Sequence, residues 1–338
     1  MSNYPIQDQL RRPIHDLRIS VTDRCNFRCS YCMPKELFGD DYAFLPASEL
    51  LSFEEIQRLT RLFVSLGVSK IRLTGGEPLM RRGLPELVAG IRSIKGVEDM
   101  GLTTNGVFLG QQAEPLYAAG LRRLNVSLDA LDPELFGSMN GRGLKPGYIL
   151  KNIDDAVSAG FEVKVNMVVQ RGVNESEIVP MAAYFREKKI TLRFIEFMDV
   201  GNDNGWSYEK VVTKGEILER LQSSFELEAQ DYNYFGEVAK RYRYKGSRTE
   251  VGFITSVSES FCSSCTRARL SSDGKFYTCL FASSGFDLKT LIRSGADDDS
   301  LLTAIKNVWE QRADRYSDER TQQTMSSRTK IGMSYIGG

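Results

Sequence analysis

Histidine is almost missing from this chain of 338 residues, with His15 its single representative. One imidazole disfavours histidine acid–base pairs, Ser-His-Asp triads and Cys/His zinc sites alike, and His15 reads as an ordinary surface or loop residue. Net charge is missing too. Forty-four Lys and Arg balance forty-four Asp and Glu, so no global field favours nucleic acid or a membrane surface, and any polyanion site has to be built locally. No apolar run approaches the roughly 18 residues of a membrane span. The start, Ser2 to Asp16, is polar and mixed in charge, without the apolar core of a signal peptide. The expectation is a cytoplasmic protein that binds neither nucleic acid nor membrane. Disorder is excluded as well, because 41% of residues are apolar and 26% charged, a normal globular composition.

What is present is a β/α rhythm. Strand patterns fall at 17–21, 70–74, 100–104, 123–128, 163–169 and 191–197, with helical patterns at about 53–66, 84–94, 111–119, 148–159 and 175–187. Gly67, Gly120 and Gly160 are the expected helix stops. Such alternation predicts a parallel sheet with right-handed crossovers. Six units fall short of a closed eightfold barrel, so the expected fold class is α/β: an open, partial six-unit β/α barrel over residues 1–200. A smaller α+β portion, 201–338, packs on it and closes the barrel mouth, with a helix near 211–221 and hairpin strands near 241–244, 251–255 and 267–280.

Alternate residues of a strand share a face. Lys70, Arg72 and Thr74 share one, as do Asn125, Ser127 and Asp129, and Lys164 and Asn166; the opposite faces are apolar. Any one of these polar residues is as well explained by a solvated strand end. Three strands agreeing point to a polar cavity that suits a charged ligand.

The six cysteines form two triplets: Cys25, Cys29 and Cys32, spaced C-x3-C-x2-C, and Cys262, Cys265 and Cys279, spaced C-x2-C-x13-C. Disulfides belong mainly to small secreted domains. Three thiolates so close can hold three irons of a cubane cluster, where four cysteines are usual, and the missing fourth ligand leaves an iron open to substrate or cosubstrate. Asp23 is a poor fourth ligand for zinc beside the first triplet. The second triplet could form a zinc knuckle, but it too lacks a histidine or a fourth cysteine.

The first cysteine loop, placed after the first strand of a β/α repeat, resembles the signature of the radical S-adenosylmethionine superfamily, and Gly75-Gly76-Glu77-Pro78 resembles its segment that receives the methionyl amino group. The segments at 17–34, 70–82, 101–106, 124–136, 192–206, 261–280 and the terminal SYIGG narrow the resemblance to the bacterial GTP 3′,8-cyclases of molybdenum cofactor biosynthesis. That resemblance implies two [4Fe-4S] clusters, one on each triplet, and S-adenosylmethionine near Tyr31, Gly76, Ser127 and Met198. It implies GTP contacts from Arg18, Arg72, Thr103, Lys164, Arg193, Arg267, Ala268 and Arg269, with guanine at the open iron of the second cluster. Catalytic roles fall to Arg18, Arg267, Arg269 and the tail glycines Gly337 and Gly338. A flavodoxin- or ferredoxin-like electron donor, a cyclic pyranopterin monophosphate synthase receiving the product, and a homodimer complete what it implies. Two other readings use the same cysteines. A peptide-modifying radical enzyme usually has more C-terminal cysteines; a non-catalytic zinc or redox module would hold one or two zincs rather than about eight irons.

Overall fold

The computed structural model describes residues 5–321 and 329–337. Helix Phe53–Ser65 (α1) shows how local sequence sets the elements. Ser52 and Glu55 form a reciprocal capping box at its start, and Ile56, Leu59 and Phe63 bury one face against the sheet. Helices Leu84–Arg92 (α2), Leu109–Ala118 (α3), Pro146–Ser158 (α5) and Ile178–Glu187 (α6) follow the expected positions closely, and Gly67, Gly120 and Gly160 follow helix ends as anticipated. Helix Pro133–Met139 (α4) was not anticipated, although Asp132 caps it by accepting from the Glu134 and Leu135 amides ahead of a proline first turn.

The described strands form one twelve-stranded sheet. Its centre is the expected parallel run: β1 (Asp16–Ser20), β2 (Lys70–Thr74), β3 (Asp99–Thr104), β4 (Arg123–Ser127), β5 (Glu162–Val169) and β6 (Thr191–Glu196). The ends of the run never pair with each other, so the barrel is open. Later strands β7 (Leu227–Gln230), β8 (Ala239–Tyr244), β9 (Glu250–Ile254), β10 (Arg267–Leu270), β11 (Lys275–Tyr277) and β12 (Phe286–Asp287) extend it at both edges. β9 lies parallel to β6 and carries the β8–β7 meander, while β10 lies parallel to β1 and carries β11 and β12. The apolar strand faces, Leu17 and Ile19, Ile71 and Leu73, Leu124 and Val126, Val163 and Val165, are buried in one core with the helices.

Helices Lys214–Gln222 (α7), Leu288–Arg293 (α8) and Asp298–Glu310 (α9) complete the chain's larger elements; α8 and α9 were not anticipated. Trp309 of α9 is fully buried and its indole donates to the Arg12 carbonyl. No helix among the described residues is long and apolar enough to cross a membrane.

Candidate active site

The polar faces of the strands line a cavity of about 390 Å³. The first cysteine loop follows β1 and therefore sits at the C-terminal end of the parallel strands. Cys262 and Cys265 precede β10, which runs parallel to β1, and Cys279 follows the antiparallel β11, so the second triplet sits at the opposite end. β1 is five residues long, which separates the two ends by roughly 16 Å. All six cysteines are free and border the same cavity.

The thiols fit a multi-iron cluster at each end. Among the described residues no three Cys, His, Asp or Glu groups are gathered tightly enough for one metal ion; the thiols border a space that a larger group would fill. Burial pushes the Cys25 and Cys32 thiols up to about 12 and Cys279 to about 11, and raises Cys29 well above the ordinary thiol range. These thiols are protonated until a metal displaces the proton. Cys265 differs. Burial alone would raise it, but the charges of Arg267 and Arg312 and hydrogen bonds from Arg267 outweigh burial and hold it at about 6. The Arg267 guanidinium lies 3.2 and 3.3 Å from its sulfur.

Beside the first triplet, Tyr31 donates to Asp129 at 2.7 Å, and burial raises the Asp129 carboxyl to about 6. Gly76, Ser127 and Met198 line this end of the cavity wall. Gly76 is a necessity of packing, since a Cβ there would stand 2.3 Å from the Arg24 carbonyl oxygen. Glu77 accepts from Thr104 Oγ1 (2.7 Å), Asn105 N (2.7 Å) and Leu79 N (3.0 Å), tying the loop after β2 to the end of β3. Its burial raises the carboxyl to about 7.

Between the triplets runs an array of cations. Register places Arg269, Arg18 and Arg72 side by side on β10, β1 and β2, neighbours about 4.8 Å apart across the sheet. Arg193 on β6 is held by Asn166 Oδ1 at 2.9 Å and by Asn125 Oδ1. Thr103 and Lys164 line the same wall, the latter 3.0 Å from Glu162. Like charges facing each other across strands are destabilising, and the guanidiniums record it. Burial, then neighbouring arginines, lower Arg193 to about 9; burial, then Arg267, lowers Arg18 to about 10. Nε of Arg18 and of Arg72 is buried without a hydrogen-bond partner. Forked donors without acceptors mark an anion site.

Of Ala268 only the backbone can face the cavity. Its side chain lies on the opposite face from Arg267 and Arg269, fully buried in the apolar core, because strand residues alternate. Gly337 does reach the site, its carbonyl accepting from Arg269 and its Cα packed against Thr74, whereas Gly338 lies outside the described residues. His15 is a partly buried residue just ahead of β1, its Nε2 3.2 Å from Ser69 Oγ.

The second triplet is braced by groups that carried no sequence signal. Arg12 donates to the Cys262 carbonyl and Arg312 to the Cys265 carbonyl, both at 2.8 Å. Both arginines are buried and share Asp8, at 2.6 and 3.3 Å. A buried carboxylate between two buried cations is a fixed unit, costly to break on one side.

Comparison with known proteins agrees with this geometry. The family model of the Radical SAM superfamily matches residues 19–185, and that of Molybdenum Cofactor Synthesis C matches residues 190–318. The chain is 61% identical over 336 residues to a GTP 3′,8-cyclase of Staphylococcus carnosus, covering 98% of this chain and 99% of that protein. It is 59% identical, at the same coverage, to a GTP 3′,8-cyclase of Staphylococcus aureus strain MRSA252. Among solved structures, Streptococcus suis SuiB bound to S-adenosylmethionine matches with a TM-score of 0.57 at 16% identity, over 90% of this chain and 66% of that one. The structure of anSMEcpe with bound AdoMet matches with a TM-score of 0.50 at 19% identity, over 63% of this chain and 58% of that one. At such identities the structural matches establish the fold.

Proposed function

Because the chain belongs to the GTP 3′,8-cyclase family of the radical S-adenosylmethionine superfamily, we propose that it binds GTP against the arginine array and cyclises it. The product is (8S)-3′,8-cyclo-7,8-dihydroguanosine 5′-triphosphate, the first intermediate of molybdopterin biosynthesis. The supporting observation is the row Arg269–Arg18–Arg72 with Arg193 beyond it on one cavity wall, in which Arg18 and Arg72 each have a buried Nε donor without an acceptor.

Cys25, Cys29 and Cys32, and Cys262, Cys265 and Cys279, would each hold an iron–sulfur cluster, the first of which would supply the electron for reductive cleavage of S-adenosylmethionine and the second a metal site for guanine. The protein does the rest by placement. Tyr31, Gly76, Ser127 and Met198 hold S-adenosylmethionine at the first triplet. Arg18, Arg72, Lys164, Arg193, Arg267 and Arg269 neutralise the triphosphate, and Thr103 adds a hydroxyl to the same wall. The ribose is thereby fixed between the two ends, where its 3′ hydrogen is abstracted and C3′ closes onto C8. One further electron and one proton complete the product. The cavity walls exclude water, which protects a radical from quenching. Electrons come from a flavodoxin- or ferredoxin-like donor, and the product passes to a cyclic pyranopterin monophosphate synthase in the cytoplasm.

Anaerobic incubation of the reconstituted enzyme with GTP, S-adenosylmethionine and a strong reductant is expected to yield 5′-deoxyadenosine and the cyclised triphosphate together. Absence of any guanine-derived product, with a peptide bound instead, would overturn the reading. A second expectation concerns the array. Replacing Arg72, Lys164, Arg267 or Arg269 singly by Ala should weaken GTP binding about ten- to a hundredfold, the loss of a charge-assisted hydrogen bond, and guanosine binding much less. Equal losses for the two ligands, measured by equilibrium binding, would assign these residues to folding or to the base.

A further inference from the structure

β7 and β8 lie at the far edge of the sheet from β10, yet the loop between them, residues 231–238, returns across the second-triplet end of the cavity. Asn233, Tyr234, Gly236, Glu237 and Val238 all line it. Gly236 is pressed against the segment that leads into β10, where an added Cβ would stand 2.9 Å from Thr266 Oγ1 and 3.0 Å from the Ser264 carbonyl oxygen. The loop is braced within itself. Arg241 donates to the Asp231 carbonyl at 2.9 Å, Asn233 N donates to Glu237 Oε2 at 2.6 Å, and Glu250 holds Arg241 at 2.6 Å.

Tyr234 is the side chain this strap brings to the cation array. Its hydroxyl accepts from Lys70 Nζ at 2.6 Å, and its ring centroid lies 4.3 Å from the same ammonium. The carboxylates near Lys70 stand farther off, Asp99 at 3.8 Å and Asp16 at 4.0 Å, beyond charge-assisted hydrogen-bond range. Lys70 is nearly fully buried, whereas Tyr234 is 42% exposed at the mouth. Arg18, Arg72 and Arg193 line the same cavity as Tyr234 and Lys70. A hydroxyl that accepts from an ammonium keeps its own proton free to donate, and here it lines the same cavity as Arg18 and Arg72, each of which has a buried Nε donor without an acceptor.

We infer that Tyr234 is a polyphosphate-contacting residue of the substrate site, which aims Lys70 into the arginine array and donates its own hydroxyl proton to a phosphate oxygen. This rests on the reading of the cavity as a GTP site and adds a determinant that distinguishes a nucleotide from its nucleoside. The ring and the hydroxyl make separable contributions: cation–π contact orients Lys70, and the hydroxyl contacts the ligand.

The test is equilibrium binding of GTP and guanosine to anaerobically reconstituted holoenzyme carrying Tyr234→Phe or Tyr234→Ala, with iron content and thermal unfolding measured for each. Tyr234→Phe keeps the ring and is expected to weaken GTP about ten- to a hundredfold, the range of one hydrogen bond to a charged acceptor. Tyr234→Ala should weaken it further. Guanosine affinity is expected to stay at the unmutated value in both, and under turnover KM for GTP should rise with kcat little changed. A Tyr234→Phe enzyme that binds GTP as tightly as the unmutated protein overturns the inference, as do equal losses for GTP and guanosine. Failure of the unmutated holoenzyme to bind GTP overturns the underlying reading instead, so the two failures are distinguishable.

Discussion

Removing Gly337 and Gly338 is expected to abolish cyclisation while both clusters and the fold survive. The tail preceding these glycines is anchored. Ile336 and Ser334 are buried, Tyr335 donates to Asp273, and Lys330 pairs with buried Asp199 at 2.7 Å. Deletion after Ile336 therefore leaves the anchor in place and takes away the Gly337 carbonyl, which Arg269 grips. Misplacing one group of a bound reaction geometry by about 1 Å costs on the order of a hundredfold in rate, and loss of the whole tip should exceed that. Gly337→Ala should reproduce much of the defect without shortening the chain. Gly337 has φ +73°, and a Cβ there would stand 2.3 Å from Thr74 Cγ2, so the tip cannot keep its place. Free Gly-Gly dipeptide is expected to restore part of the truncated enzyme's activity. Product formation, iron content and unfolding temperature are the measurements. A truncated enzyme with full iron and undiminished turnover would show the tip to be dispensable.

Replacing a cysteine at either end should separate the two halves of the chemistry. Cys29→Ala is expected to eliminate 5′-deoxyadenosine formation altogether. Cys265→Ala should eliminate the cyclised product while some uncoupled cleavage of S-adenosylmethionine survives, because the triplets sit at opposite ends of the cavity. Iron should fall from about eight to about four per chain in each variant. Cys265 is the more telling position at the second end, since Arg267 touches its sulfur and also faces the proposed triphosphate. Normal rates of cyclised product from the Cys265 variant would remove the second triplet from any substrate role.

Much of this arrangement was legible residue by residue. The spacing of Cys25, Cys29 and Cys32 names a cluster loop wherever it lies. The alternation in Lys70-Ile-Arg-Leu-Thr74 divides a wet face from a greasy one, and that division is the one observed, with Arg72 in the cavity and Ile71 in the core. The same alternation, applied to Arg267-Ala268-Arg269, already argues that Ala268 points away. The Asp132-Pro133 start of α4 carried its capping signal unread.

Local sequence set whatever has a short period: the six central strands and the helices between them apart from α4, which side of each strand faces polar surroundings, and which thiols can share a cluster. These follow from the two-residue repeat of a strand and from ligand reach along a few residues of chain. The long-range pairing of β10 with β1 and of β9 with β6 arises in the assembled sheet, and it stands Arg269 beside Arg18 and sets the second triplet opposite the first across one cavity. Tertiary structure likewise brings Asp8, Arg12 and Arg312 under Cys262 and Cys265, and carries Tyr234 from the far edge of the sheet to Lys70. Contacts between residues so distant in sequence leave no local period, because they are selected by which apolar edges and buried charges satisfy one another once the whole sheet has formed.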